Sequence, residues 1–109
     1  MAWKIELIPP AEKDLSKLDH AQRIQVVKAL EKVSADPRPM SEGGYGKPLG
    51  NHNGNDLSGL MKIKIRRAGI RIIYRLVRAG MTMKVIVIGM RGDNQAYDDA
   101  GRRRERYGL

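Results

Sequence analysis

The sequence predicts an α+β protein with a small, mainly antiparallel four-stranded sheet, two N-terminal helices on one face of that sheet and a C-terminal helix. Three observations predict this class: an early strand signal followed by two helix signals, two alternating runs joined by a glycine-containing turn, and a late, nearly continuous apolar run. At 109 residues the chain fits one domain, residues 1–109, which is large enough to bury roughly two thirds of the surface of its unfolded form.

The first third of the chain carries one strand signal and two helix signals. Residues 3–8 alternate apolar and polar side chains, which predicts a short strand. Pro9 and Pro10 end that strand, and Pro10 suits the first turn of a helix with an apolar stripe. Asp19, followed three residues later by Gln22, predicts the capped start of a second helix that runs to about residue 34.

A different composition marks residues 36–56, which hold three prolines and five glycines and lack a clear periodicity. This composition predicts a loop. A loop of about 20 residues is long for a compact domain, so we expect it to be either functional or partly mobile. Tyr45, Pro48 and Leu49 are expected to attach it to the core.

Residues 57–77 contain two alternating runs that predict a β-hairpin with one apolar and one cationic face. Met61, Ile63 and Ile65 fall on one side of the first strand, and Gly69 supplies the positive φ that a short hairpin loop needs. The segment has no acidic residue, and its six cations are Lys62, Lys64, Arg66, Arg67, Arg71 and Arg75. The ordinary interpretation of such a polar face is that it is simply exposed to solvent. Because like charges opposed across a sheet are destabilising, the single sign of charge favours an anion-binding face.

The excess positive charge lies in the second half of the chain. Residues 1–56 carry eight Lys or Arg and eight Asp or Glu, whereas residues 57–109 carry thirteen and four, which accounts for the net charge of +9. A basic domain of this kind most often binds nucleic acid, and no segment is apolar enough to favour a membrane. The lack of cysteine excludes disulfides, thiolate metal sites and cysteine nucleophiles. This lack also fits a reducing compartment, so we expect a cytoplasmic protein. We further predict that it uses no metal and no cofactor.

The C-terminal part predicts a central strand and a terminal helix. Residues 83–89 form the apolar run, and residues 92–94 are typical of a turn and helix cap. Asp98 and Asp99 then precede four arginines, an order that suits the helix dipole, although Gly101 weakens the helix pattern. These arginines are Arg102, Arg103, Arg104 and Arg106.

From Lys62 to Tyr97 the polar residues follow a specific order: Lys-x-Lys on one strand, Arg on the next, then Gly-x-Arg and a Tyr six residues later. This order, after a strand and two short helices, resembles the RelE toxins of bacterial toxin–antitoxin modules over nearly the whole chain. The long glycine-rich loop and the arginine-rich tail depart from the family pattern. The resemblance implies a RelE-like fold, a cognate antitoxin as partner, and an endoribonuclease that cuts mRNA in the ribosomal A site. It assigns active-site roles to Lys62, Lys64, Arg71, Arg91 and Tyr97.

RNA cleavage without a metal needs a base for the 2′-hydroxyl proton, cations on the phosphorane and an acid for the departing 5′-oxygen. A lysine crowded by other cations has its neutral form favoured and can act as a base. We predict Lys62 or Tyr97 as the base, Lys64 and Arg71 on the phosphate, and Arg91 near the leaving group, with stacking on an RNA base as the alternative for Tyr97. The residues predicted to bind RNA or the ribosome are Arg66, Arg67, Arg75, Arg102, Arg103, Arg104 and Arg106.

Each of the five active-site candidates also has an ordinary structural interpretation. The lysines could be solvated, the arginines could pair with nearby aspartates, and the tyrosine could pack on the sheet edge. Five matches in order favour the functional interpretation. Two other functions stay open: a gyrase poison like the ParE branch of the same superfamily, which has no RNase activity, and a non-catalytic basic module that binds nucleic acid.

Overall fold

The structure is a computed structural model that describes residues 2–52, 54–90 and 95–109. Its helices are α1 (Pro9–Ser16), α2 (His20–Ser34) and α3 (Gln95–Tyr107). Its strands are β1 (Lys4–Leu7), β2 (Lys47–Pro48), β3 (Asn51–His52), β4 (Asn55–Asp56), β5 (Leu60–Ile65), β6 (Ile70–Val77) and β7 (Thr82–Met90). Single 3₁₀ turns span Met40–Glu42 and Arg78–Gly80. None of the helices in the described ranges is both long and apolar enough to cross a membrane.

Within the described residues the main sheet has five strands in the order β1-β7-β6-β5-β2, and β3 and β4 form a separate two-stranded ribbon. β1 runs parallel to β7, whereas the other neighbours are antiparallel. The predicted α+β class with a mainly antiparallel sheet is therefore confirmed. The predicted count of four strands omits β2, because two residues are too few to produce a periodic pattern.

The two N-terminal helices begin as their sequences predict. Pro9 and Pro10 occupy the first turn of α1, where no intrahelical partner exists for an N–H group. At the start of α2 the N–H of Gln22 donates to the Asp19 carboxylate (2.8 Å), and the N–H of Asp19 donates to the side-chain oxygen of Gln22 (3.1 Å). α1 packs against β7 and α2 against β5, so both helices cover the sheet.

The segment from Asp36 to Gly46 is fixed to the core by hydrogen bonds and close packing. The N–H of Tyr45 donates to the carbonyl of Asp36 (2.9 Å), and the buried hydroxyl of Tyr74 donates to the carbonyl of Pro37 (2.9 Å). Burial raises the pKa of Tyr74, which keeps this hydroxyl protonated. Gly46 allows a close approach here, because a Cβ at this position would lie 2.7 Å from the Tyr74 hydroxyl oxygen.

Of the three residues expected to attach the loop to the core, only Leu49 is buried. Its N–H donates to the carbonyl of Leu60, the first residue of β5 (2.9 Å). Pro48 is exposed, and Tyr45 keeps 51% of its surface exposed. The expectation is therefore wrong for the tyrosine and the proline, because the backbone of this segment already makes the attachment.

Asp14 and Arg103 close the outer edge of β7 where its pairing with β1 ends. β1 follows β7 only as far as Val85. Beyond that point the Asp14 carboxylate accepts from the N–H of Ile88 (3.1 Å), and Arg103 donates to the carbonyl of Ile86 (3.0 Å). The two side chains also form an ion pair of 2.6 Å. Side chains from α1 and α3 thus supply hydrogen-bond partners for the backbone groups at this strand edge, and they hold α3 against the sheet.

Gly101, in the middle of α3, allows the β3–β4 ribbon to approach the helix. A Cβ at this position would lie 2.7 Å from the side-chain oxygen of Asn55. Asn55 donates in turn to the carboxylate of Asp98 (2.7 Å), which joins β4 to α3. A tertiary contact therefore explains the glycine that weakens the helix pattern in the sequence.

Candidate active site

The register of the β5–β6–β7 ladder brings three cations to one face of the sheet. Lys64 on β5 lies directly opposite Arg71 on β6, and Arg71 lies opposite Gly89 on β7. Lys62 lies two residues from Lys64, so its side chain points to the same face. Lys62 and Arg71 are partly buried and Lys64 is exposed, so all three can be reached from solvent.

α3 adds Tyr97 to this face. Gly89 makes the contact possible, because a Cβ there would lie 3.0 Å from the Cβ of Ala96. Tyr97 is only 5% exposed, and the guanidinium carbon of Arg71 lies 4.5 Å from the centre of its ring. This stacking orients Arg71. The guanidinium also covers one face of the Tyr97 ring, and the ring is buried, so stacking of Tyr97 on an RNA base requires α3 to move.

The three cations are not neutralised within the part of the chain that the structure describes. No carboxylate in that part lies within ion-pair distance of Lys62, Lys64 or Arg71. Asp98 bonds to Asn55, and Asp99 pairs with Arg102. The Nε of Arg71 is buried and finds no acceptor among the described atoms. This group of Lys62, Lys64, Arg71 and Tyr97, called the cationic site below, is suited to an anion.

Crowding of like charge perturbs Lys64. The positive charge of Lys62 lowers the pKa of Lys64 below its ordinary value, and partial desolvation adds to this effect. Arg71 and Lys47 act in the same direction, whereas Tyr97 opposes it. Lys64 therefore loses its proton more readily than an isolated lysine does, which suits a base or a proton relay.

Arg91, the remaining predicted active-site residue, lies outside the described residues, as do residues 92–94, for which a turn and helix cap are predicted. The structure therefore brings together four of the five candidates.

The cations predicted to bind RNA or the ribosome fall into two groups. Arg66 and Arg67 are exposed at the end of the hairpin, and Arg75 is partly buried on the same face as Arg71. The arginines of α3 have partners within the protein. Arg102 pairs with Asp99 and Arg106 lies over the ring of Tyr107, both within α3. Arg103 pairs with Asp14 on α1, and Arg104 donates to the carbonyls of Asp56 and Ser58.

Lys47 is a cation of this region that the sequence analysis missed. It lies on β2 directly opposite Lys62, so the two side chains share a face. Its charge also contributes to the lowered pKa of Lys64. Lys47 could have been found only from the pairing of β2 with β5, and a strand of two residues is too short to show a periodic pattern in the sequence.

Fold and site together define a small basic α+β protein whose sheet carries a cationic cluster beside a buried tyrosine of the C-terminal helix. No family model matches the chain. The mRNA interferase toxin RelE of Escherichia coli is 28% identical over 103 residues, which are 94% of this chain and 98% of that protein. Among solved structures, a mutant of the E. coli toxin RelE in the free state has a TM-score of 0.74 at 26% identity, over 94% of this chain and 98% of that one.

A toxin–antitoxin assembly is also among the similar structures. In the intact E. coli RelBE toxin–antitoxin complex, the matching chain has a TM-score of 0.63 at 26% identity, over 84% of this chain and all of that one (100%). The present chain is RelE-like in both sequence and fold.

Proposed function

We propose that this protein is the toxin of a type II toxin–antitoxin module and acts as a ribosome-dependent endoribonuclease that cleaves mRNA in the ribosomal A site. The observation that supports it best is the cationic site, in which Lys62, Lys64, Arg71 and Tyr97 lie together without a neutralising carboxylate among the described residues. The similarity to the E. coli mRNA interferase toxin RelE supports the same reaction.

The proposed reaction is an internal transfer at the scissile phosphate. The 2′-oxygen forms a new bond to phosphorus, the bond from phosphorus to the 5′-oxygen breaks, and the products are a 2′,3′-cyclic phosphate and a 5′-hydroxyl. The 2′-hydroxyl proton passes to the enzyme, and the departing 5′-oxygen receives a proton from it. A site with cations around the phosphorane lowers this barrier without a metal ion.

The pair of Lys62 and Lys64 is the proposed base. Repulsion between the two ammonium groups favours loss of one proton, and the lowered pKa of Lys64 has this cause. The lysine that stays charged and Arg71 then stabilise the phosphorane oxygens. Tyr97 acts by positioning Arg71, because its ring is stacked under the guanidinium. Arg91 is proposed as the group near the leaving 5′-oxygen, as the resemblance implies.

Arg66, Arg67 and Arg75 are proposed to bind the RNA backbone or the ribosome. The arginines of α3 can add to the positive electrostatic potential that attracts RNA, although Arg103 and Arg104 already have partners within the protein. We also propose an antitoxin as partner and a cytoplasmic location, where ribosomes and mRNA are available. The RelBE complex, whose toxin chain resembles this one, supports the antitoxin.

The test is incubation with translating ribosomes, followed by mapping of the mRNA ends. Codon-phased cuts are expected from the parent protein, and Lys62→Ala and Arg71→Ala should each cut about 100-fold or more slowly. Lys17→Ala is the matched control, because it removes one exposed positive charge at the end of α1. Melting temperatures of all four proteins separate loss of chemistry from loss of fold.

Two results would contradict the proposal. Parental cleavage rates in folded Lys62→Ala and Arg71→Ala proteins would reassign the cationic site to binding. Trapped gyrase–DNA breaks without RNA cuts would instead support the ParE-like alternative.

A further inference from the structure

We infer that a groove beside the cationic site, between α2 and the outer edge of β5, is a subsite for the single-stranded RNA that flanks the cleaved phosphate. Tyr45 is its stacking platform and Lys47 its main phosphate contact. This inference rests on the proposed function, because it takes the RNA past Lys62 and Lys64.

The groove exists because β2 is short. β2 pairs only with Met61 and Lys62, so the outer edge of β5 from residue 63 onward has no strand partner among the described residues. The space between this edge and α2 has a volume of about 510 Å³, within the range of about 300–1,000 Å³ typical of ligand pockets. Its apolar surface comes from side chains such as Val33, Ile63 and Ile65.

The charge of the groove fits a phosphate backbone. Six of its twelve lining residues are Lys or Arg, and none of the twelve is acidic. Lys62 and Lys64 line both this groove and the cationic site, so the two are continuous. Lys47 lies opposite Lys62 and extends the row of cations to β2, and Arg66 extends it beyond the end of β5. An RNA strand with its scissile phosphate at Lys64 therefore meets further cations in the groove.

Tyr45 supplies the element that distinguishes an RNA subsite from a merely basic surface. Its ring lines the groove and keeps 51% of the residue surface exposed, with the ammonium of Lys32 5.8 Å from the ring centre. The backbone that carries it is fixed by the bond from Tyr45 to Asp36 and by the tight packing at Gly46. An exposed aromatic ring held on a rigid segment beside cations is the arrangement that binds single-stranded RNA without reading its sequence.

The test measures binding of a short, uncleavable single-stranded RNA in which 2′-methoxy groups replace the 2′-hydroxyls. Fluorescence anisotropy should find that Tyr45→Ala weakens binding about 5- to 150-fold, whereas Tyr45→Phe binds like the parent. Tyr107→Ala, which removes an exposed tyrosine of α3 that does not line the groove, should leave the affinity unchanged. Photo-cross-linking with iodouridine in the same RNA should label Tyr45.

Salt dependence tests the phosphate contact separately. Lys47→Gln should reduce the slope of log affinity against log salt by about 0.7, the value for one contact to a single strand. Lys17→Gln, just after α1 and not among the residues that line the groove, should keep the parental slope.

The outcomes separate this inference from the proposed function. If the parent cuts mRNA on ribosomes while Tyr45→Ala and Lys47→Gln bind and cut RNA normally, the subsite is wrong and the proposed function stands. If the parent cuts nothing but Tyr45→Ala still weakens RNA binding, the groove binds RNA as inferred but the proposed reaction is wrong. Loss of affinity for an acidic antitoxin with RNA affinity intact would overturn the inference and assign the groove to a protein partner.

Discussion

Removal of the Asp14 carboxylate should destabilise the protein as strongly as a core substitution does. In Asp14→Ala, three hydrogen bonds disappear: those from the Ile88 N–H (3.1 Å) and from the two terminal nitrogens of Arg103 (2.6 and 3.2 Å). The guanidinium then stays in place without its partner. Loss of one member of a buried pair costs about 3–5 kcal/mol. Since the Asp14 and Arg103 side chains keep 15% and 18% of their surface exposed, we expect about 2–4 kcal/mol.

Urea denaturation measures this loss in the free energy of unfolding, and a thermal scan should find the melting temperature lower by about 10 °C or more. Hydrogen exchange should be faster in α3, because the pair holds that helix to the sheet. Glu42→Ala is the matched control: it breaks the Arg78–Glu42 pair, whose side chains are 55% and 40% exposed, and should cost about 1 kcal/mol or less.

A double-mutant cycle with Arg103→Met completes the test. The double variant should be more stable than the sum of the single losses predicts, because removal of both charges leaves neither one buried alone. If Asp14→Ala costs no more than Glu42→Ala, the pair is only a surface contact and this reasoning is refuted. The Asp14→Ala variant also tests the role of Arg103. If Asp14→Ala slows cleavage as much as Arg103→Met does, Arg103 supports cleavage by holding α3 in place and not by binding RNA.

Three further predictions concern the site and the core. Lys62→Met should raise the pKa of Lys64, because it removes the charge that lowers this pKa most. Since a base must be neutral, the increase of the cleavage rate with pH should move to higher pH, and NMR titration of the lysine side chains should find the same shift. Gly46→Ala should lower the free energy of unfolding by about 1–3 kcal/mol in urea denaturation, because its Cβ has no room; a cost near zero would contradict the close approach. Ile72→Ala should cost about 2–5 kcal/mol, and Ile63→Ala clearly less, because Ile72 is fully buried and Ile63 is only partly buried; equal melting temperatures would contradict this.

The class of fold and most of the elements could be predicted because their signals are local. The capping box at Asp19 and the alternation from Met61 to Ile65 depend only on neighbouring residues, and both appear in the structure as predicted. The faces of the hairpin follow from the same alternation, so the grouping of Lys62, Lys64 and Arg71 could also be predicted.

The features that the sequence did not reveal depend on contacts between distant segments. The pairing of Lys47 with Lys62 needs the path of a long loop, and the exposure of Tyr45 depends on backbone bonds made elsewhere in that loop. Arg103 belongs to a run of arginines, and no pattern within that run indicates that it pairs with Asp14. Sequence charge alone therefore overstates how many arginines of α3 are free to bind RNA.

The parallel pairing of β1 with β7 also determines when the cationic site is completed during synthesis of the chain. β1 is made first but pairs with a strand near the end of the chain, with Lys4 opposite Thr82. Contacts this distant in sequence form late, since the intervening loop must close first. The hairpin of β5 and β6 can fold early, but Arg71 lacks Gly89 and Tyr97 beside it until β7 and α3 have emerged. The cationic site is therefore complete only after β7 and Tyr97 have been synthesised, so a nascent chain carries an incomplete site.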